Sequence, residues 1–311
     1  MAGNNHPENN IGKVSSMMRI VVIGSDGRLG RALIDVLRQR YLITGFGRKA
    51  MDLTSPDSIS DALMPLAYDR LFLTGALTGV DYCETHPDEA HATNVDAPRL
   101  VAKISAEKNA HVTYISTDMV FDGTKDGLYL ETDRPNPVSV YGASKLAGEQ
   151  EVLAASAGNL VARVSWVFGP ARPAFPEWII RQACAQRDLT LPGDKMACPT
   201  YTLDLAKWLD QLVFGRAEGA ASGIYNLCNS GSCSWRDWGQ FCIDTAREAG
   251  LPVMAREITP VAVDSVAAFV ARRPLNSALD TTKFQKLTGI PPRGWREAIR
   301  DHVMQNIPRH E

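Results

Sequence analysis

The sequence predicts an α/β fold in which a parallel sheet is wound on both faces by helices and followed by a smaller C-terminal lobe. Short apolar runs alternate with helical stretches between residues 18 and 169, the pattern that right-handed crossovers convert into a parallel sheet. The first run, 18-MRIVVIG-24, is apolar almost throughout, as suits a strand buried on both faces. It passes directly into a glycine-spaced turn, 24-GSDGRLG-30, and a stretch with apolar residues at helical spacing, 31-RALIDVLRQR-40.

The same grammar continues along the chain. A strand is expected at 41–47, a helix at 55–64 capped by Ser55, and a strand at 70–76. One long helix over 87–109 should lead into the strand 111-HVTYIST-117. After the turn-rich loop 122–139 comes a helix carrying Tyr141 and Lys145, then a strand over 159–169. Beyond Gly169 the prolines Pro170, Pro173 and Pro176 interrupt regular structure, and 231–250 reads as a loop feeding a helix. The segments 203–214 and 223–229 read as one more helix and one more strand of the first sheet. The domain reading is therefore a flexible tail at 1–16, a dinucleotide-binding domain of 17–169 plus about 200–229, and a substrate lobe of about 170–199 plus 230–311.

Bulk composition narrows the function classes. A chain of 311 residues, 45% hydrophobic and 22% charged, can bury a large core. Its net charge of −2 and the lack of a Lys/Arg block leave no source of attraction to nucleic acid or an anionic membrane. No apolar run reaches the roughly 20 residues of a membrane span, and 1-MAGNNHPENNIGKVSS-16 lacks a signal peptide's apolar centre, so a cytoplasmic location is expected. Six scattered cysteines are read as reduced thiols. Cys83, His86 and His91 share a metal-like C-x2-H-x4-H spacing. A helix beginning at Pro87 would scatter these three side chains, so no metal is expected.

Three features carry chemistry. Gly24, Gly27 and Gly30 lie between a buried strand and a helix, where bare backbone can approach a pyrophosphate and the helix amides can hold it. At the end of the second strand, where an NAD site presents an acid to the ribose 2′-OH, this chain has Arg48 and Lys49, which suit a 2′-phosphate. NADP(H) is thus preferred, with NAD(H) also admitted. In 141-YGASK-145, Tyr141 and Lys145 stand four residues apart on one helix face. A phenol can deliver a proton to a developing alkoxide, and a nearby ammonium would make it more acidic.

Together, 24-GSDGRLG-30, 116-STDMVFDG-123, 141-YGASKLAGE-149, 164-VSWVFGP-170 and 272-RRPLNSALDTTKF-284 resemble the dTDP-4-dehydrorhamnose reductase family of the extended short-chain dehydrogenases/reductases. The resemblance implies a Rossmann-type dinucleotide domain and reduction of the 4-keto group of a nucleotide-linked 6-deoxyhexose. It implies a catalytic triad of Thr117, Tyr141 and Lys145, with Lys145 also on the nicotinamide ribose. Arg28 and Leu29 in the glycine turn join the implied cofactor set. Asp52 and Leu53 are placed near the adenine, and Gly75, Ala76 and Thr78 at the strand end lining the cleft. Asp118, Met119, Trp166, Arg273, Asn276 and Ser277 form the implied substrate set, Trp166 against the sugar and Arg273 suited to a diphosphate. A nucleotide sugar is the expected partner, and a homodimer is left open.

The chain departs from the family pattern at Met119, where tyrosine is common, and in the proline-rich segment 170-PARPAFPEW-178. The alternatives are a nucleotide-sugar epimerase of the same superfamily and a non-catalytic regulatory subunit like the methionine adenosyltransferase beta subunit.

Overall fold

The computed structural model describes residues 17–215 and 219–307. The tail expected at 1–16 lies outside them. The first lobe is built from β1 (Arg19–Ile23), α1 (Arg28–Leu37), β2 (Leu42–Phe46), α2 (Pro56–Leu63), β3 (Arg70–Leu73), α3 (Val80–Thr85), α4 (Pro87–His91), α5 (Ala97–Glu107), β4 (His111–Thr117), α6 (Val140–Ala155) and β5 (Leu160–Val164). There follow β6 (Val167–Phe168), α7 (Phe175–Ala185), β7 (Leu189–Pro192), β8 (Met196–Ala197), β9 (Thr200–Tyr201), α8 (Thr202–Phe214), β10 (Gly223–Asn226), β11 (Cys233–Ser234), α9 (Trp235–Glu248), β12 (Ile258–Val261), α10 (Thr282–Thr288) and α11 (Trp295–Asn306).

Six strands form one parallel sheet in the order β10-β5-β4-β3-β1-β2. Alternation along β1 sends Ile20 and Val22 to one face, against Leu33 and Leu37 of α1 and Leu205 and Leu209 of α8. Val21 and Ile23 go to the other, with Leu63, Val101 and Val112. This is a Rossmann-type doubly wound sheet, and its strand order reverses between β1 and β3, where such sheets open a crevice at the strands' carboxyl ends. The second lobe has its own core, with Ile179 and Ile180 of α7, Trp238 and Ile243 of α9, and Ile299 and Val303 of α11. α10 belongs with the first core through the buried Phe284, although its sequence lies among second-lobe segments. No described helix is long and apolar enough to cross a membrane.

Most expected elements appear within a few residues, among them α2 with Ser58 N donating to Ser55 Oγ at 3.2 Å. Three differ for physical reasons. The expected helix 87–109 is divided by a π turn over Ala92–Asp96, with α3 added before it. Pro98 lacks the N–H that would bond the Asn94 carbonyl, and that oxygen instead accepts the buried Tyr114 hydroxyl at 3.2 Å. The expected strand 159–169 breaks into β5 and β6, which join different sheets, at Trp166, whose φ is +40°. Pro176 sits in the first turn of α7, where a missing N–H costs nothing, so the prolines after Gly169 introduce a helix that the sequence reading missed.

Candidate active site

The glycine turn is forced by crowding. Gly24 has φ +86°, and a Cβ there would lie 2.5 Å from Gly75 N; one on Gly30 would lie 2.2 Å from Gly24 O. No side chain caps the start of α1, and its first turn holds no acid. Its leading amides are thus free of side-chain competition for an anion. Leu29 is buried in the sheet core, whereas Arg28 crosses the crevice, donating to Arg172 O at 3.2 Å and Pro173 O at 2.7 Å.

Arg48 and Lys49 are exposed just after β2. A Cβ on the intervening Gly47 would meet Asp26 Oδ2 at 1.9 Å, so a carboxylate from the glycine turn faces the same corner. Asp52 is turned onto Thr54, accepting from its N at 2.8 Å and Oγ1 at 2.7 Å. Leu53 packs over Gly75. The loop after β3, carrying Gly75, Ala76 and Thr78, is pinned by the fully buried Asn94, which accepts from Leu77 N and donates to Leu77 O, each at 3.0 Å. The π turn presents Asn94 there, and periodicity alone gives no sign of it.

Thr117 ends β4, Asp118 opens the 3-10 turn that follows it, and Tyr141 and Lys145 lie in the first turns of α6. All four are buried. Burial raises the Tyr141 phenol above its ordinary value, while a hydrogen bond with Thr117 opposes that and the Asp118 charge adds to it. The expected acidification by Lys145 is corrected here, because its Nζ donates to Ile115 O at 2.7 Å and lies 3.9 Å from the Tyr114 ring centre. Burial lowers the amine to about 7, opposed by the Glu149 charge. Glu149 is in turn clamped by Arg163 at 2.6 Å in the core. In this state Lys145 is not among the groups that act on the phenol.

Met119 packs with Tyr141 and Leu77. Asp118 is the hub of the polar network. Its Oδ1 accepts Thr117 Oγ1 at 3.1 Å, and its Oδ2 accepts Ser165 Oγ at 2.9 Å and Ser277 Oγ at 2.5 Å. Ser277 also receives Lys195 Nζ at 2.7 Å, a buried residue that the motif reading passed over. Trp166 stacks on Trp238 at 5.1 Å and on Trp235 at 5.5 Å between ring centres. Its left-handed backbone, costly for a bulky residue, is held by this stack and by Thr200 N donating to its carbonyl at 3.2 Å.

Two implied substrate residues are engaged elsewhere. Arg273 grips Asp81 of α3 through NH2–Oδ2 at 2.5 Å and NH1–Oδ1 at 3.1 Å, which ties the lobes together. Asn276 Nδ2 donates to Lys125 O at 2.8 Å and Gly127 O at 2.7 Å. Cys83, His86 and His91 do not converge: Cys83 Sγ points to Leu77 O, His86 stacks on Tyr82, and His91 pairs with Asp96.

A cleft of about 680 Å³ opens between the lobes, lined by Arg28, Thr78, Trp166, Glu177, Arg181 and Trp235 among others. An aromatic wall, cations and adjacent phosphate-type amides suit a long, anionic, partly apolar ligand.

Residues 18–307 match the family model described as the RmlD substrate binding domain. The chain is 31% identical over 293 residues to dTDP-4-dehydrorhamnose reductase of Aggregatibacter actinomycetemcomitans, covering 92% of this chain and 98% of that one. It is 29% identical to the enzyme of the same name from Escherichia coli K12, covering 91% and 96%. Among solved structures, dTDP-4-dehydrorhamnose reductase from Bacillus anthracis in complex with NADP superposes with a TM-score of 0.85 at 28% identity, covering 93% of this chain and 99% of that one.

Proposed function

The chain belongs to the dTDP-4-dehydrorhamnose reductase family, and from that premise we propose that it reduces the 4-keto group of a dTDP-linked 6-deoxyhexose with NADPH. The observation that carries the reading is the buried Tyr141 phenol, near enough to Thr117 at the carboxyl end of β4 for that hydroxyl to act on its titration, in a sheet whose neighbouring crevice has the form of a dinucleotide site.

The residues present fit that cofactor. The space that a Cβ on Gly24 or Gly30 would fill is backbone, and the amides of α1 point from the turn toward a pyrophosphate position. Arg48 and Lys49 offer cations for a 2′-phosphate. When bound, NADPH supplies the hydride that reaches the carbonyl carbon.

The chain's own groups manage the proton. Burial keeps Tyr141 protonated, so it is an acid ready to deliver its proton to the carbonyl oxygen. Thr117 in this state directs its single proton to Asp118, and its hydroxyl neighbours the phenol. Lys145 bears a charge that a forming phenolate would attract. Trp166 offers a ring face to the sugar. Because Arg273 is held by Asp81, Arg181 in the cleft wall is the better cation for the diphosphate. Use of a sugar nucleotide and NADPH supports the reading of a cytoplasmic location. The intact Tyr141–Thr117 pair favours catalysis over a purely regulatory role.

Incubation with NADPH and dTDP-4-dehydrorhamnose should consume reduced cofactor, and Tyr141→Phe should lower kcat by about 10²–10⁴. Absence of consumption by the wild type, or full activity in the variant, would overturn the reading. Arg48→Ala should weaken NADPH by about tenfold and NADH much less; equal weakening removes the 2′-phosphate assignment.

A further inference from the structure

Lys195 is a buried cation that neither the glycine turn nor the Tyr141–Lys145 helix employs. It is 2% exposed, in the turn between β7 and β8 of the second lobe, and Asp118, Cys198 and Arg273 are the titratable groups that act on it. Its Nζ donates to Ser277 Oγ at 2.7 Å and, more weakly, to Met196 O at 3.4 Å. Ser277 donates to Asp118 Oδ2 at 2.5 Å, and Asp118 Oδ1 accepts Thr117 at 3.1 Å. A continuous chain of hydrogen bonds thus crosses from the second lobe to Thr117, whose hydroxyl lies near enough to the Tyr141 phenol to act on its titration.

Donor counting gives this chain a direction. A hydroxyl has one proton, and an ammonium can only donate. With Lys195 as its neighbour, Ser277 must turn its proton outward, and the carboxylate at 2.5 Å receives it. On the other side, Thr117 Oγ1 accepts Met119 N at 3.2 Å and gives its proton to Asp118. Every proton in the network therefore points toward Asp118. Without Lys195, Ser277 is released from that orientation, and Met196 O at 3.5 Å becomes a competing acceptor.

We propose that Lys195 is a positioning residue for the reducing centre: as an obligate donor it locks Ser277 onto Asp118, which orients the Thr117 hydroxyl beside the Tyr141 phenol. This rests on the reductase reading, and it assigns to the second lobe a part in aligning the acid.

The test compares Lys195→Met with Lys195→Gln in the full chain. Lys195→Met removes the donor and should lower kcat by about tenfold, the weight of one charge-assisted hydrogen bond, with KM for the sugar nucleotide within about twofold. Lys195→Gln retains an N–H donor without charge and should recover most of kcat. A loss confined to KM, an unaffected Lys195→Met, or a Lys195→Gln no better than Lys195→Met would each overturn the proposal. A readout free of turnover is the NMR resonance of isotope-labelled tyrosine Cζ, with Tyr141 identified by its loss in Tyr141→Phe. This signal should move in Lys195→Met and return in Lys195→Gln; an unmoved signal would overturn the proposal. Should the wild type reduce no sugar while this resonance responds as described, the reductase reading falls and the positioning role stands. Should Lys195→Met fail to fold, Ser277→Ala should show the same kcat loss and the same displaced resonance, and its failure to do so is decisive against the idea.

Discussion

Lys145 and Lys195 are both sealed from water, and burial lowers the first to about 7 and the second to about 8. They reach that state by opposite routes. Lys145 stands one helical turn after Tyr141, bonded to a main-chain carbonyl and laid on the Tyr114 ring. Lys195 sits in an irregular turn and depends on a hydroxyl from distant sequence, Ser277. The first is placed by local helix geometry and the second by the packing of separate segments. Proximity to the reacting phenol should follow the same division.

The largest test of that division is activity. Lys145→Met should lower kcat by about 10²–10⁴, because it removes the charge that a forming phenolate would attract and a group on the cofactor side. Lys195→Met, acting through Ser277, Asp118 and Thr117, should cost about tenfold. Equal losses in steady-state kinetics would dissolve the distinction between a residue at the chemistry and one that aligns it.

The same contrast explains what the sequence made legible. The β1–glycine–α1 unit, the α6 pair and the parallel sheet all follow from periodicity and short spacing, and each appears close to where it was expected. The fold of the second lobe is harder to read, because its two-stranded pairings and stacked tryptophans are long-range. Pro176 reads as a breaker in isolation and becomes a helix start only beside Glu177, whose Oε2 accepts Ala174 N at 2.8 Å. Arg273 was legible as a functional cation by motif, yet its acid, Asp81, lies on α3, a helix that periodicity did not announce. Lys195 carries no local signal. Its burial and its partner exist only once the turn before β8 meets the segment around Ser277.

Stability should separate the two environments next. Glu149→Gln breaks the buried pair with Arg163, whose guanidinium is 1% exposed, and leaves an uncompensated charge in the core. A loss of about 3–5 kcal/mol in urea unfolding is expected. Ser277→Ala removes a neutral hydroxyl beside Lys195 and should cost about 1–3 kcal/mol. Comparable losses would mean that the carboxylate behind Lys145 is not the stronger anchor.

The smallest effect concerns pH, and its sign is fixed by burial. Both amines have folded values below the ordinary 10.5, so between the folded value and 10.5 the unfolded chain holds more protons. Stability then rises with pH through that interval, by at most about 1.4 kcal/mol per pH unit for each group, and the penalty is complete below the folded value. Subtracting each Lys→Met variant from the wild type cancels the buried thiols and phenols, which titrate with the opposite sign. The Lys145 difference should begin to climb near about pH 7, and the Lys195 difference near about pH 8, both levelling toward 10.5. Burial lowers both amines and a carboxylate opposes it in each case, Asp118 for Lys195 and Glu149 for Lys145, so Lys195 has the narrower interval only if Asp118 opposes burial more strongly than Glu149 does. Urea midpoints measured from about pH 6 to about pH 10 resolve the order. If the Lys195 difference climbs first, Asp118 opposes burial at that amine less than Glu149 does at Lys145, and the carboxylate hub is not the stronger partner.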